Sequence, residues 1–359
     1  MVITPAFWSK KKVLITGHTG FKGSWLALWL KSLGSNVIGY SLDPPTDPSL
    51  FNTAQVDTKM TSLNGDIYDL ETLRSTVERC QPQIIFHMAA QSLVLDSYEH
   101  PVKTYATNVM GTVNILEAIR HSESVKVLIN VTSDKCYENK EQEKGYREDA
   151  RMGGRDPYSS SKGCAELITS AYRDSFFSTS GCSRKVFVAT ARAGNVIGGG
   201  DWAKYRLVPD IMKKFIAGNP AFIRNPSFTR PWQHVLDPLS GYLLLAEKLW
   251  NDGAQFAEGW NFGPNDTSAQ TVSWVANRLK DLWGEDAQWL SGPSPQLHEA
   301  RALRLDCFKA RKLLDWAPRL NLDTALDWTS SWYKAYQEKQ DMQKFTYAQI
   351  SNYQNMEPI

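Results

Sequence analysis

Short β-branched runs that close on glycine or a small residue, each followed by a stretch of helical length, recur through the first half of the chain and leave few folds open. KVLITG (12–17) leads into FKGSWLALWLKSLG, whose apolar residues and closing Gly34 suit a helix, and NVIGYS follows as a second strand. The alternation continues through MTSLNGD, the helical YDLETLRSTVERC, the strand QIIFHMA, a helix from about 101 to 121 and the strand VKVLINVTS. Strands apolar on both faces and separated by helices predict a parallel sheet covered on both sides. Right-handed crossovers then make it a doubly wound α/β sheet. A further helix is expected from Tyr158 and a further strand near RKVFVATAR. Beyond about residue 190 the pattern loosens: AGNVIGGGDW reads as a loop, and helices are expected in LVPDIMKKFIAG, in VLDPLSGYLLLAEKLW and near 270–283, 308–315 and 321–338.

The 359 residues, 42% of them apolar, can fill a large core. Forty basic and 38 acidic residues leave a formal charge of +2, too balanced for a partner chosen by bulk electrostatics, which argues against nucleic acid and anionic membrane. An anionic ligand must therefore be met by a few placed cations. Cys80, Cys136, Cys164, Cys182 and Cys307 are odd in number, widely spaced and without a C-x-x-C pair, so neither a disulfide framework nor a metal site is expected. Reduced cysteines, an N-terminus without the apolar core of a signal peptide, and no apolar run near the roughly 18 residues of a membrane span together predict a soluble cytoplasmic protein.

Gly17, Gly20 and Gly23 form G-x-x-G-x-x-G between the first strand and the first helix. Here a dinucleotide pyrophosphate can approach backbone N–H groups and a helix N-terminus. Thr19, Phe21 and Lys22 complete the candidate cofactor loop. Asp43, just beyond the second strand, can hydrogen-bond adenosine ribose hydroxyls and repel a 2′-phosphate, which favours NAD; it also starts the turn-forming DPPTDP. Asp66 and Ile67 are candidate adenine contacts, and Ala89, Ala90 and Gln91 follow the fourth strand with side chains small enough, at the alanines, for a cofactor to lie against the backbone. These segments predict a Rossmann NAD-binding domain over 1–190 plus about 227–255, with a smaller C-terminal α/β substrate-binding lobe of about 191–226 and 256–359.

Tyr158 and Lys162 form Y-x-x-x-K, i and i+4 on one helix face, so an ammonium can sit near the phenol and favour its ionised form. With the glycine loop and Ser133 after the fifth strand, this set resembles the extended short-chain dehydrogenase/reductase family that acts on nucleotide sugars, over nearly the whole chain. The resemblance implies that Ser133 and Tyr158 hold the sugar O4, that Lys162 binds the nicotinamide ribose, and that hydride leaves C4. Simple 4-epimerases of the family have no acid beside the serine, whereas its 4,6-dehydratases place an acid there, usually Asp followed by Glu. This chain has Asp134 and Lys135. GHTGFKGSWL, TSDKCY, GNVIGGGDW and RPWQHV together resemble the CDP-glucose 4,6-dehydratase branch, which implies CDP-D-glucose as substrate, CDP-4-keto-6-deoxy-D-glucose as product and a place in deoxysugar biosynthesis such as that of lipopolysaccharide O-antigen.

Elimination of water across C5 and C6 needs a proton donor to O6 and a group that takes the C5 proton. Asp134 is the expected donor, its pKa raised by desolvation. Lys135 is either the base, which requires it to be neutral, or a charged stabiliser of the enolate. Resemblance also places Asn195, Arg230 and Arg301 at the substrate diphosphate, where arginine grips phosphate oxygens bidentately. Trp202 reads as a packing residue. The helices about 101–121 and 158–177 form a dimer-making bundle in many relatives, so a homodimer is implied. Two other readings compete: a nucleotide-sugar 4-epimerase, against which Asp134 and Lys135 argue, and a non-catalytic NAD-sensing scaffold, against which the retained Tyr158 and Lys162 argue.

Overall fold

A computed structural model describes residues 3–142, 144–177, 185–265, 268–292 and 303–359. Seven parallel strands form the main sheet: β1 (Lys12–Thr16), β2 (Asn36–Ser41), β3 (Thr61–Asn64), β4 (Ile84–His87), β5 (Val127–Val131), β6 (Phe187–Ala193) and, seventh in the sheet, β10 (Gly259–Phe262). Their spatial order, β10-β6-β5-β4-β1-β2-β3, reverses direction between β1 and β4. A crevice opens at the strand C-termini where the order reverses, and open α/β sheets bind ligands there.

Alternation along the strands divides the core. Val13 and Ile15 of β1 face the layer that holds the helices Phe21–Ser32 and Leu236–Asp252, while Leu14 faces Leu73 and Val77 of Leu70–Cys80 and Ile115 and Ile119 of Gly111–His121. Because both faces are covered, all five residues of β5 are buried. The helix Phe21–Ser32 is apolar on nearly every side, with Trp25, Leu26, Leu28, Trp29 and Leu30 fully buried, because it is packed between the sheet and the helices Leu236–Asp252 and Met342–Gln354.

Two smaller sheets build the second lobe. β7 (Asn195–Ile197) pairs in parallel with β9 (Thr229–His234), which pairs antiparallel with β11 (Ala269–Thr271), and β8 (Ala221–Ile223) pairs with β12 (Trp289–Ser291). Three expectations change. The first residues of AGNVIGGGDW include a strand, because Asn195–Ile197 find partners in β9. Residues 259–262 extend the large sheet, and 229–234 leave it for the small one, so the expected boundaries near 227 and 256 do not follow the strand pairing. Long-range pairing decided both, and it leaves no local periodicity to read. The helix Met342–Gln354, which the sequence reading did not anticipate, closes the chain against Phe21–Ser32.

Candidate active site

The sheet crevice and the second lobe enclose one cavity of about 990 Å³, lined by the glycine loop, the ends of β2 to β6, Tyr158, Lys162 and the segment 193–230. Gly17 has φ +77°, a conformation glycine adopts freely, and a Cβ there would lie 2.8 Å from the Ala89 backbone nitrogen. A Cβ on Gly23 would lie 2.2 Å from the Gly17 carbonyl oxygen, so these two glycines let the loop fold onto the helix and onto β4. Gly20 differs. Its Cβ would meet only the Gly17 oxygen, at 3.4 Å, and no side chain caps the helix it precedes. The protein itself does not need glycine at that position; a pyrophosphate approaching the bare helix N-terminus does. The glycine loop thus fits a dinucleotide.

The remaining candidate cofactor residues line the same wall. Thr19 Oγ1 donates to the Leu42 carbonyl at 2.9 Å, which pins the loop to the end of β2 beside Asp43. Asp43 accepts from Asn64 Nδ2 at 2.7 Å and is exposed at the rim, open to ribose hydroxyls. Asp66 caps the Tyr68 amide at 2.9 Å, and Ile67 is buried against Gly111. Phe21 lines the cavity, as do Ala89, Ala90 and Gln91, whose amide donates to Asn108 Oδ1 at 2.9 Å. Lys22 turns toward the reaction end: its Nζ donates to Tyr242 Oη at 3.0 Å, and burial together with Arg206 and Lys162 lowers its pKa to about 7.

At the end of β5, Ser133 Oγ donates to Asp134 Oδ1 at 3.0 Å and accepts from the Lys135 amide at 3.2 Å. Asp134 is 4% exposed; burial raises its pKa, opposed first by the charge of Lys135, then by Ser133 and Arg230. Tyr158 stands on the first turn of Pro157–Tyr172, where Asp156 caps the helix by accepting from the Ser159 amide at 2.9 Å. Burial pushes the phenol up to about 12, with a hydrogen bond to Ser133 acting the other way. This reverses the expected lowering by Lys162, because the Lys162 ammonium donates instead to the Val131 carbonyl at 3.4 Å and is itself lowered by desolvation to about 8.

Arg230 is buried on β9, near enough to Asp134 to oppose its protonation, and Asn195 lines the cavity on β7. Arg301 lies outside the described residues. Trp202 packs edge-on against Tyr333 and Tyr336 at 5.1 and 4.9 Å, as a packing residue should. Two residues escaped the sequence reading. Arg206, paired to Asp201 at 3.1 Å, reaches across the cavity to Ser92 Oγ at 3.1 Å, and Tyr242 presents its hydroxyl from the helix Leu236–Asp252. Neither sits in a motif: Arg206 comes in with the second lobe, and Tyr242, fully buried on a helix packed against β5 and β6, meets Lys22 behind the cavity wall.

The chain matches the family model described as GDP-mannose 4,6 dehydratase over residues 14–329. It is 52% identical over 353 residues to a CDP-glucose 4,6-dehydratase of Salmonella typhimurium strain LT2, covering 98% of each chain. Among solved structures, a dTDP-glucose 4,6-dehydratase of Streptomyces venezuelae with NAD and TYD bound superposes with a TM-score of 0.77 at 22% identity, over 92% of this chain and 99% of that one. A UDP-glucose 4-epimerase of Thermotoga maritima with UDP-glucose gives the same TM-score, 0.77, at 21% identity, over 90% and 99%. Backbone similarity at this level establishes the fold and leaves the reaction to the side chains.

Proposed function

The chain belongs to the GDP-mannose 4,6 dehydratase family, and from that premise we propose that it is an NAD-dependent lyase converting CDP-D-glucose to CDP-4-keto-6-deoxy-D-glucose. The observation that carries this reading is a buried carboxyl, Asp134, hydrogen-bonded to Ser133 in the cavity that also holds Tyr158. A 4-epimerase has no use for a second proton donor there. Identity of 52% to a protein of that named activity supports the cytidine substrate.

When bound, NAD supplies a hydride acceptor for C4 and a hydride donor for C6. The protein's residues handle the protons. Ser133 and Tyr158 hold the sugar O4, and Tyr158 would take its proton as a phenolate as the C4 ketone forms, the positive charge of a bound nicotinamide offsetting the burial that raises the phenol in its absence. The ketone acidifies the C5 hydrogen, and a water molecule takes it as a proton. Asp134 delivers its proton to O6, which leaves as water, and a proton returns to C5, so the substrate loses one water overall and no net hydride. Lys135 lies beside Asp134 as a cation and stabilises the enolate oxygen. Asn195 and Arg230, with Arg301, bind the diphosphate. The glycine loop, Asp43, Asp66, Ile67 and the 89–91 segment hold NAD.

The exposed Val102, Tyr105 and Met110 on the helical run 101–121, with Leu167 and Phe176 on 157–177, support a homodimer built on these two elements. No described helix is long and apolar enough to cross a membrane, and Cys80, Cys136, Cys164 and Cys307 are free, which supports a cytoplasmic place in deoxysugar biosynthesis such as that of O-antigen. The test is incubation with NAD and, in turn, CDP-, UDP-, GDP- and dTDP-glucose, read by mass spectrometry. Loss of one water from CDP-glucose first and fastest is expected. A product that keeps the substrate's mass would replace the reading with epimerisation.

A further inference from the structure

One buried ion pair near the cavity has no part in the chemistry above. Glu166 lies one helical turn beyond Lys162, and its side chain is 4% exposed. Arg192 grips it through Nε at 2.8 Å and Nη2 at 2.7 Å, Thr190 Oγ1 donates at 2.7 Å, and Thr132 Oγ1 donates to its other oxygen. Arg192 is fixed in turn by Tyr137 Oη at 2.6 Å and the Glu148 carbonyl at 3.0 Å. Two successive residues of β5 and its continuation are therefore tied to two successive turns of one helix. The Val131 carbonyl accepts from Lys162, Thr132 binds Glu166, and Ser133 comes next.

We propose that Glu166, clamped by Arg192, Thr190 and Thr132, is a positioning residue that keeps Lys162 an ammonium ion and holds Ser133 in register with Tyr158. This rests on the dehydratase reading, in which Lys162 binds the nicotinamide ribose as a cation. A lysine taken out of water loses its proton unless an opposite charge is fixed nearby. Glu166 is the leading such charge on Lys162; the nearby Cys136 thiol is held neutral by burial. Around Lys162 stand His87 from β4, held neutral by burial with its pKa at about 3, Lys22 from the first helix and Cys136 from the segment after β5, while Asp134 acts on Lys22 and Arg192 of β6 on Glu166. The helical run 101–121 presents the neutral Asn108, bonded to Ser161 at 2.8 Å. Of these, Lys22 titrates in the same range as Lys162, so the lysines must be read separately.

The experiment uses the full chain without substrate, pulse-acetylated with acetic anhydride from pH 6 to 10. Labelling of the Lys162 peptide is quantified by mass spectrometry, apart from that of Lys22. Glu166→Gln should move the Lys162 midpoint down by about one pH unit, from about 8 to about 7, which raises its labelling at pH 7 about fivefold, and Glu166→Asp should restore most of the shift. A second cavity of about 590 Å³ borders Glu166 and Arg192 and can admit water to the uncompensated guanidinium. If Glu166→Gln nevertheless fails to fold, Glu166→Gln with Arg192→Met removes both charges and should shift the midpoint in the same direction. A folded variant with an unmoved Lys162 midpoint would overturn the inference. Failure of the wild type to dehydrate CDP-glucose would sink the functional reading instead, and the labelling result would stand apart from it.

Discussion

Asp134 and Lys135 are neighbours in sequence with different surroundings. Asp134 is buried and its pKa rises, whereas Lys135 is only partly buried and is the strongest of the influences that oppose that rise. A carboxyl that must hand a proton to O6 gains from the first condition, and an enolate from the second. Asp134→Asn keeps the shape and the hydrogen bond from Ser133 but has no acidic proton. It should leave C4 oxidation detectable and slow water loss by about 10²- to 10⁴-fold, measured by rapid-quench mass spectrometry. Unchanged turnover would remove Asp134 as the acid. The pair was legible from sequence because it sits beside Ser133 and upstream of Y-x-x-x-K. The upward pKa of Tyr158 was not legible, because burial outweighs a lysine whose ammonium is turned to a backbone carbonyl.

At the scale of elements, the glycine loop separates fold from ligand. Gly20→Ala should fold with a melting temperature close to the parent's, since the new methyl meets the protein at 3.4 Å only, and should weaken NAD binding at least roughly tenfold by standing where the pyrophosphate approaches. Titration calorimetry reads the affinity and a thermal melt the fold, and normal affinity would remove the loop's assigned role. A second element contact sets a pH dependence. Asp237, on the helix Leu236–Asp252, accepts from the Arg319 amide and from Tyr353 Oη, both at 2.8 Å, and so ties that helix to Met342–Gln354. Its Oδ2 has no hydrogen-bond partner among the described residues, and burial pushes its pKa up to about 7. The folded state therefore binds more protons than the unfolded chain between about pH 4 and 7, so this group's contribution is fully present below about pH 4 and is lost as pH rises through 7. Asp237→Asn should stabilise the protein by about 2 kcal/mol at pH 8 and by little at pH 4, read by urea denaturation at both. A gain independent of pH would contradict the burial argument.

For the molecule as a whole, the apolar side chains left in water by the helical elements 101–121 and 157–177, with Val102 82% and Leu167 61% exposed, favour a second copy as their cover. Val102→Glu with Leu167→Glu should shift the sedimenting mass from two chains toward the 40.5 kDa of one, and a parent that already sediments as one chain would end the proposal. The βαβ alternation, the glycine loop, the pair Ser133–Asp134 and the pair Tyr158–Lys162 could be read along the chain, because each is carried by residues close in sequence, whose spacing fixes which face or turn they share; the meeting of the two pairs was implied by resemblance. Packing alone settled that Gly259–Phe262 joins the large sheet, that Arg206 reaches the cavity and Tyr242 meets Lys22, and that Glu166 faces Arg192. Those contacts join segments many residues apart, and burial, which sets their charges, exists only once the layers have closed.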